Sequence, residues 1–363
     1  MTEKELKEVL WDVPGADEAA RAAAHAHWAR LAKPLGGLGT LVENAAALTG
    51  RETPDVSRRA ALVLCADNGV VAQGVSQTDQ SVTRAVAANL AAGRTSVCRM
   101  AAAARCDVVP VDIGMAGEKV EGVLDRRIAD GTADFTQGPA MTREQALTAI
   151  SVGMEQAQRA AQDGMQAVGI GERGIGNTTT SAAVLAALTG LAPEELTGRG
   201  AGLTDDAFRK KKDVIRRALT LHRPDPADPV GVLSAVGGLD LAAMTGAFLG
   251  LAAAHVPAVA DGLISVVAAL CAVRLCPAAR DAIFLSHASK EPGYRRAAEE
   301  LGLAPFLQLG MRLGEGSGCP LAFQVLKAAC AVMNGMATFA EAAINDDYLE
   351  SIRTPDAFRV DTP

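Results

Sequence analysis

Five short apolar segments recur along this 363-residue chain, each ended by polar or glycine residues and separated by helix-like sequence. They are RRAALVLCADNGV from residue 58, DVVPVDIGM at 107–115, QAVGIG at 166–171, VPAVADG at 256–262 and DAIFLSHAS at 281–289. This alternation is typical of parallel strands joined by crossover helices. We therefore predict an α/β fold with a doubly wound, mostly parallel, Rossmann-like sheet and a second, smaller helical domain. The large α/β domain is expected over 55–320, and 1–54 with 321–363 would form the small domain.

Composition excludes several classes of function. The chain has 35 basic and 42 acidic residues, a formal net charge of -7 and 3% aromatic residues, which disfavours a nucleic-acid partner. Seven scattered cysteines without a C-x-x-C pair indicate a reducing cytoplasm, and five dispersed histidines indicate no metal site. The mixed-charge N-terminal segment does not fit a signal peptide, and no uncharged run is long enough to span a membrane. We expect a cytoplasmic protein without a membrane or nucleic-acid partner.

The ends of the predicted strands carry polar side chains. In doubly wound sheets, ligands bind outside the carboxyl ends of the strands. The residues at these ends here are Asp67, Asp112, Glu172, Asp261 and Ser286. A site at this edge of the sheet is therefore expected.

A glycine-rich stretch, GIGERGIGNTTTSAAVLAAL, occupies residues 169–188. It matches the G-x-G-x-x-G dinucleotide fingerprint, but the segment about 20 residues on, LAPEELTG, is not the strand with an acidic end that such a site needs. A glycine loop that leads into a helix N-terminus at Asn177 and Thr178 instead favours an anion such as a monophosphate. The alternative is a tight strand-to-helix turn without a ligand.

Two further glycine loops could carry chemistry. Glu315 lies between Gly314 and Gly316, and a partly desolvated carboxylate there would suit a general base. The segment GRGAGL at 198–203 precedes the basic run RKKK at 209–212, which together suggest a phosphate cradle. Solvent-exposed turns and a solvated helix face are the alternatives. His287 has no visible partner and is interpreted as structural or peripheral.

Ten segments, in order between about residues 33 and 330, resemble the nicotinate-nucleotide–dimethylbenzimidazole phosphoribosyltransferase family. They are KPLGGLGTLVENAA, ADNGVVAQGVS, VDIGM, GPAMTREQA, GIGERGIGNTTTSAA, GRGAGL, VGGLDLAAMTGAFLGLA, VADGLIS, SHASKEPGY and MRLGEGSGCPLAF. The resemblance implies a transferase that moves phosphoribose from nicotinate mononucleotide to a free aromatic base, giving the α-ribotide and nicotinate in cobamide nucleotide-loop assembly. It implies no metal and no cofactor. It also implies a homodimer, with a heterodimer of homologues as the alternative.

The resemblance also implies roles for individual residues. Glu315 would be the general base and Glu172 a second acid near the ribose, while Lys211 would be placed for the phosphate. The substrate-binding positions that it implies are Gly174, Gly176, Asn177, Thr178, Gly202, Lys211, Asp261, Ser289, Gly314 and Gly316.

The implied base pocket departs from the family pattern. Its positions are Ser76, Gln80, Arg84, Ala85 and Asn68. Asn68 stands where the family has histidine, and Ala85 stands where it has glutamine. Such changes could select another acceptor, as in a phenol- or adenine-preferring homologue or one subunit of a paired enzyme. Drift under relaxed constraint and a non-catalytic nucleotide-binding relative are the alternatives, and the retained Glu315 favours an enzyme.

Overall fold

The computed structural model describes residues 1–11, 13–34 and 37–349. For Tyr348 it describes the backbone and not the side chain. Of the KPLGGLG segment, Leu35 and Gly36 lie outside the described residues, as does the predicted domain's end at 350–363. Contacts divide the chain into two units, one of residues 1–14 and 58–323 and the other of residues 15–57 and 324–363.

The described ranges contain a sheet and a larger number of helices. The strands are β1 Arg59–Ala66, β2 Asp107–Gly114, β3 Leu124–Asp125, β4 Ala167–Arg173, β5 Ala258–Ala260 and β6 Ile283–Leu285. The helices are α1 Glu3–Trp11, α2 Glu18–Arg30, α3 Gly39–Thr49, α4 Ser81–Ala91, α5 Ser96–Ala104, α6 Arg143–Gln162, α7 Asn177–Thr189, α8 Pro193–Leu196, α9 Asp205–His222, α10 Pro229–Val236, α11 Leu239–Ala253, α12 Leu263–Leu275, α13 Pro292–Leu301 and α14 Gly318–Gly335. Short 3₁₀ helices occupy Gly69–Gln73, Pro277–Ala282 and Asp347–Leu349. Within these ranges, no helix is long and apolar enough to cross a lipid bilayer.

The six strands form one parallel sheet in the order β3-β2-β1-β4-β5-β6. The predicted doubly wound fold is therefore confirmed. Each of the five apolar segments corresponds to one strand, although β4 continues two residues beyond QAVGIG, to Arg173. Strand β1 is buried along its whole length, as expected for a central parallel strand covered on both faces. The two-residue β3 at the sheet edge has no apolar run that could have predicted it. The strand order reverses direction between β1 and β4, so a ligand cleft is expected above that pair.

Helices α6 and α11 cross at very short range because glycines face the neighbouring backbone. A Cβ atom added to Gly153 of α6 would lie 1.8 Å from the Ala243 carbonyl oxygen of α11. A Cβ atom added to Gly246 of α11 would lie 1.9 Å from the Ile150 carbonyl oxygen of α6. The glycines therefore set the distance between the two helices. Helix α11 in turn contacts β1, β2 and β4, the centre of the sheet.

The second unit contains α2, α3 and the later part of α14. Its core joins Trp28 and Leu31 with Val42 of α3 and with Ala329 and Met333 of α14. These apolar side chains are buried together, which explains why the two ends of the chain form one helical unit.

Helix α1 groups with the sheet-bearing unit, whereas the sequence predicts it in the small helical domain. Its Leu6 is buried, and its Glu3 forms an ion pair with Arg143 of α6. The Cys276 thiol also donates to the Leu10 carbonyl oxygen at 3.8 Å. These contacts with distant segments, which a local pattern does not reveal, attach α1 to the larger unit.

Candidate active site

The largest concentration of buried polar side chains lies at the carboxyl edge of the sheet. Asp67 and Asn68 follow β1, Glu172 and Arg173 end β4, and Asp261 follows β5. Ser286 and His287 follow β6 and are also buried. Parallel strands bring these chain-distant residues to one edge, so the residues that precede and follow each strand end form the walls of a cleft.

A cavity of about 240 Å³ opens at this edge. It is lined by many of the predicted substrate residues, namely Ser76, Glu172, Gly174, Gly176, Asn177, Thr178, Gly202, Asp261, Ser289 and Gly314. Arg173, Arg199, His287 and Arg312 also line it. Of these, the sequence had indicated Arg199, as part of the GRGAGL segment suggested as a phosphate cradle, and had not singled out the other three for ligand binding. The loops at 174–178, 199–203 and 311–314 therefore meet around one space.

The predicted base-pocket residues do not all meet in that space. Ser76 lines the first cavity, whereas Gln80, Arg84 and Ala85 line a second, more open cavity of about 610 Å³ together with Asp67. Asn68 is fully buried, and its side-chain amide donates to the Ile175 carbonyl oxygen at 3.4 Å. Asn68 is not among the described residues that line either cavity.

Some of the glycines of 169–174 pack closely against other parts of the protein, and others border the cavity. A Cβ atom at Gly171 would lie 2.4 Å from the Gly316 amide nitrogen, and one at Gly169 would lie 2.5 Å from the Cys319 Cβ. Strand β4 thus packs directly against the loop that carries Glu315. The expectation that these glycines mainly approach a ligand is corrected for the first two, while Gly174 and Gly176 do line the cavity.

The loop that carries Glu315 is anchored by Asp261. The buried Asp261 carboxylate accepts hydrogen bonds from the amides of Gly316 at 3.1 Å and Gly318 at 2.7 Å. Burial raises the pKa of Asp261, and the nearby His287, whose Nδ1 lies 3.8 Å from Oδ1, opposes that increase. Asp261 therefore orients the loop as well as bordering the cavity. His287 is a functional-site residue that the sequence missed, because its carboxylate partner follows a different strand.

Glu315 has an unusual backbone and an unusual environment. Its φ of 62° is in the left-handed region, which a non-glycine residue adopts at a cost. Its side chain is only 12% exposed, and its buried Oε2 has no hydrogen-bond partner among the described residues. Burial raises the pKa of this carboxyl, while the Arg173 guanidinium, with Nη1 3.8 Å from Oε1, lowers it. Glu315 and Gly316 follow the cavity-lining Gly314 in the chain and are not among the described residues that line the cavity.

Glu172 belongs to a buried polar cluster. The Asn177 side-chain amide donates to its Oε2. Burial, with a contribution from Asp240, raises the pKa of Glu172 to about 7. Burial also raises the pKa of Asp240, at the start of α11, to about 6. The sequence missed Asp240, although its position after Gly237 and Gly238 at a helix start was a usable signal.

Lys211 lies behind the cavity wall. Its side chain is fully buried, and its Nζ donates to the Thr178 hydroxyl at 2.8 Å and to the Gly198 carbonyl oxygen at 3.0 Å. Burial lowers the pKa of Lys211 to about 8, and the nearby Glu291 opposes that decrease. Lys211 therefore does not belong to a solvated helix face. Its ammonium group contacts Thr178 and Gly198, so its charge lies next to the loops that border the cavity.

The described residues contain no group of three or more His, Cys, Asp and Glu side chains that could hold a metal ion. The cleft instead combines two buried carboxylates, a buried ammonium and several backbone amides of glycine loops. This arrangement suits acid–base chemistry on a small anionic ligand.

Comparisons with known proteins show the family and the fold of this chain. A family model described as "Phosphoribosyltransferase" matches residues 13–344. The nicotinate-nucleotide–dimethylbenzimidazole phosphoribosyltransferase of Clostridium perfringens is 43% identical over 359 residues, which are 98% of this chain and 99% of the relative. The enzyme of the same name from Escherichia coli is 41% identical over 344 residues, or 93% and 96% of the two chains. The crystal structure of CobT from Thermus thermophilus superposes with a TM-score of 0.86 at 42% identity, covering 90% of this chain and 99% of that one.

Proposed function

Because this chain belongs to the nicotinate-nucleotide–dimethylbenzimidazole phosphoribosyltransferase family, we propose how its residues perform the family's reaction. The enzyme is a pentosyltransferase of cobamide synthesis that transfers phosphoribose from nicotinate mononucleotide to a lower-ligand base. Neither a phenol- or adenine-preferring enzyme nor a non-catalytic binding protein is favoured by the names of the relatives. The roles of individual residues follow from the geometry of the cleft.

The 5′-phosphate of the nucleotide is assigned to the loops in front of Lys211. Gly202 and Thr178 line the cavity, and the buried Lys211 ammonium contacts the Thr178 hydroxyl at 2.8 Å. Helix α7 begins at Asn177, beside the cavity, so its N-terminal amides add positive partial charge. A bound dianion would offset the decrease that burial causes in the pKa of Lys211, since an opposite charge favours the protonated amine.

Glu172 is assigned to the ribose. As the C1′–N bond to nicotinate breaks, positive charge develops on the ribosyl carbon, and a nearby carboxylate stabilises it. Burial raises the pKa of Glu172 to about 7, so the carboxylate form that this role needs predominates only above that pH. Ser289 and Asp261 border the same cavity and complete the assigned donor site.

Glu315 is assigned as the general base. One nitrogen of the acceptor attacks C1′ from the face opposite nicotinate, the C1′–N bond to nicotinate breaks with its electron pair on the pyridine nitrogen, and the acceptor's N–H proton passes to Glu315. A general base is worth about 10²- to 10⁴-fold in rate. The observation that carries this assignment is the buried Oε2 of Glu315, which has no hydrogen-bond partner within the described ranges and is free to accept that proton.

The acceptor is assigned to the second cavity, which three of the predicted base-pocket residues line. Gln80, Arg84 and Ala85 line that cavity, and the buried Asp67 has an Oδ1 without a hydrogen-bond partner among described residues. We further propose that the enzyme works as a cytoplasmic homodimer. All seven cysteines are free and buried, which suits a reducing compartment.

A product assay tests the proposal. Purified enzyme and nicotinate mononucleotide are incubated separately with dimethylbenzimidazole, adenine and phenol, and nicotinate release and the anomer of the product are measured. We expect release with dimethylbenzimidazole and an α-ribotide product. Glu315→Gln should lose at least 100-fold in kcat, while Glu195→Gln, a change at an exposed surface residue, should not. If Glu315→Gln releases nicotinate at the wild-type rate, Glu315 is not part of the mechanism.

A further inference from the structure

We infer that Arg173 is a positioning residue that keeps the Glu315 carboxylate ionised and directed towards the acceptor. The inference rests on the proposed role of Glu315 as general base. Arg173 is the last residue of β4, where it pairs in register with Cys65 of β1. Its side chain is 22% exposed and lines the cavity.

The geometry places the two charges together across two separate segments. Arg173 Nη1 lies 3.8 Å from Glu315 Oε1, and the loop of Glu315 is held against β4 by the close approach at Gly171. Each of the two side chains has a further polar atom that this contact does not involve. The buried Nε of Arg173 and the buried Oε2 of Glu315 both lack hydrogen-bond partners in the part of the chain that the structure describes.

In the described part of the chain, the charged groups near this carboxylate at the ends of neighbouring strands include two acids and a histidine that lies beside one of them. Glu172 projects from β4, and its Oε1 lies 3.4 Å from the position of a Cβ on Gly314. Asp261 projects from the end of β5 and raises the pKa of Glu315, while His287, after β6, lies beside Asp261. The Thr95 hydroxyl, at the start of α5, lowers the pKa of Glu315 without adding charge. Burial and the nearby acids therefore favour protonated Glu315, and the Arg173 cation opposes them.

The other cavity arginines are engaged differently. Arg199 donates to the Leu203 carbonyl oxygen at 2.8 Å, and Arg312 donates to the Gly200 carbonyl oxygen at 3.0 Å. Both guanidinium groups thus brace loop backbone. Arg199 also forms an ion pair with Asp205, whereas Arg173 faces the Glu315 carboxylate. Removal of Arg173 should therefore change the protonation of the base and not merely the shape of a loop.

This role gives a signature in the pH profile. Without Arg173, Glu315 is protonated over a wider range of acidic pH and cannot accept the acceptor's proton there. We expect Arg173→Met to lower the ratio of kcat/KM at pH 6 to kcat/KM at pH 8 relative to wild type, because removing the cation beside Glu315 raises the pKa of that carboxyl. Arg173→Lys, which keeps the charge, should restore most of the ratio. Arg312→Met is the matched control, with an unchanged ratio.

The effect of Arg173 on Glu315 must be distinguished from its effect on Glu172, because Arg173 also lowers the pKa of Glu172. The same comparison is therefore repeated in a Glu172→Gln background. The expected fall in the ratio persists there if Arg173 acts through Glu315. Its disappearance in that background, an unchanged ratio in Arg173→Met, or a loss equal at both pH values and not restored by Arg173→Lys would each overturn the inference.

The proposed function can fail separately from this inference. If Glu315→Gln retains wild-type turnover, the assignment of the base is wrong. If Glu315→Gln is inactive and Arg173→Met keeps the wild-type ratio, only the role of Arg173 is wrong.

Discussion

The raised pKa of Glu172 predicts a specific dependence of stability on pH. The ordinary pKa of this carboxyl is 4.5, and burial raises it to about 7 in the folded enzyme. The folded protein therefore holds the proton more tightly than the unfolded chain. The stabilisation from this group is fully present below pH 4.5 and is lost as the pH rises through 7. The complete difference corresponds to about 3 kcal/mol, and most of it is lost between pH 5 and pH 8.

Glu172→Gln removes this loss, because a glutamine stays neutral and its side-chain oxygen can still accept from Asn177. We expect the free energy of unfolding of Glu172→Gln, relative to that of wild type, to be about 2–3 kcal/mol larger at pH 8 than at pH 5, so that the variant gains relative stability as the pH rises. Urea unfolding at both pH values, followed by far-UV circular dichroism, measures this difference. Glu195→Gln is the control, because that side chain is exposed in the folded protein. A relative stability of Glu172→Gln that is the same at pH 5 and pH 8 would refute the reasoning.

Three further substitutions test other parts of the argument. Glu315→Gln should lower kcat by at least about 100-fold in the nicotinate-release assay, and a turnover within tenfold of wild type would contradict its role as base. Lys211→Met should raise KM for nicotinate mononucleotide by about tenfold or more, since it removes the buried charge behind Thr178; an unchanged KM in initial-rate measurements would argue against a phosphate site there. Gly246→Ala should destabilise the enzyme by about 1–3 kcal/mol in thermal unfolding because its Cβ would meet the Ile150 carbonyl oxygen at 1.9 Å, whereas Gly335→Ala, with no atom within 4 Å, should not.

The strands and the fold class were predictable from sequence because their signals are local. A buried parallel strand needs a short run of apolar residues, and ALVLCA, the last six residues of β1, supplies one within a few positions. Likewise, the glycine loops that precede Asn177 and flank Glu315 are visible as letters in the chain. The segments that carry the family resemblance also supplied the candidate site residues, of which Glu172, Asp261 and Gly314 line one cavity.

The tertiary structure alone decided what these residues experience. The pKa of Glu172 depends on burial and on Asp240, which comes from the start of a different helix. Arg173 acquires its significance only because the loop of Glu315, far along the chain, folds against the end of β4. His287 similarly meets Asp261 because β5 and β6 are neighbours in the sheet.

The same distinction explains the predictions that differed from the structure. The implied base-pocket residues are close in sequence, yet Ser76 faces one cavity and Gln80 another, because the chain changes direction between them and α4 begins at Ser81. Gly171 allows the backbone of a distant loop to approach closely. The sequence indicated a close approach at this glycine but not which group approaches it. By itself, the sequence determined the local backbone preferences, the strand pattern and the available chemical groups. Desolvation, charge pairing and close backbone contact arise between segments remote in the chain, so only the folded structure determined them.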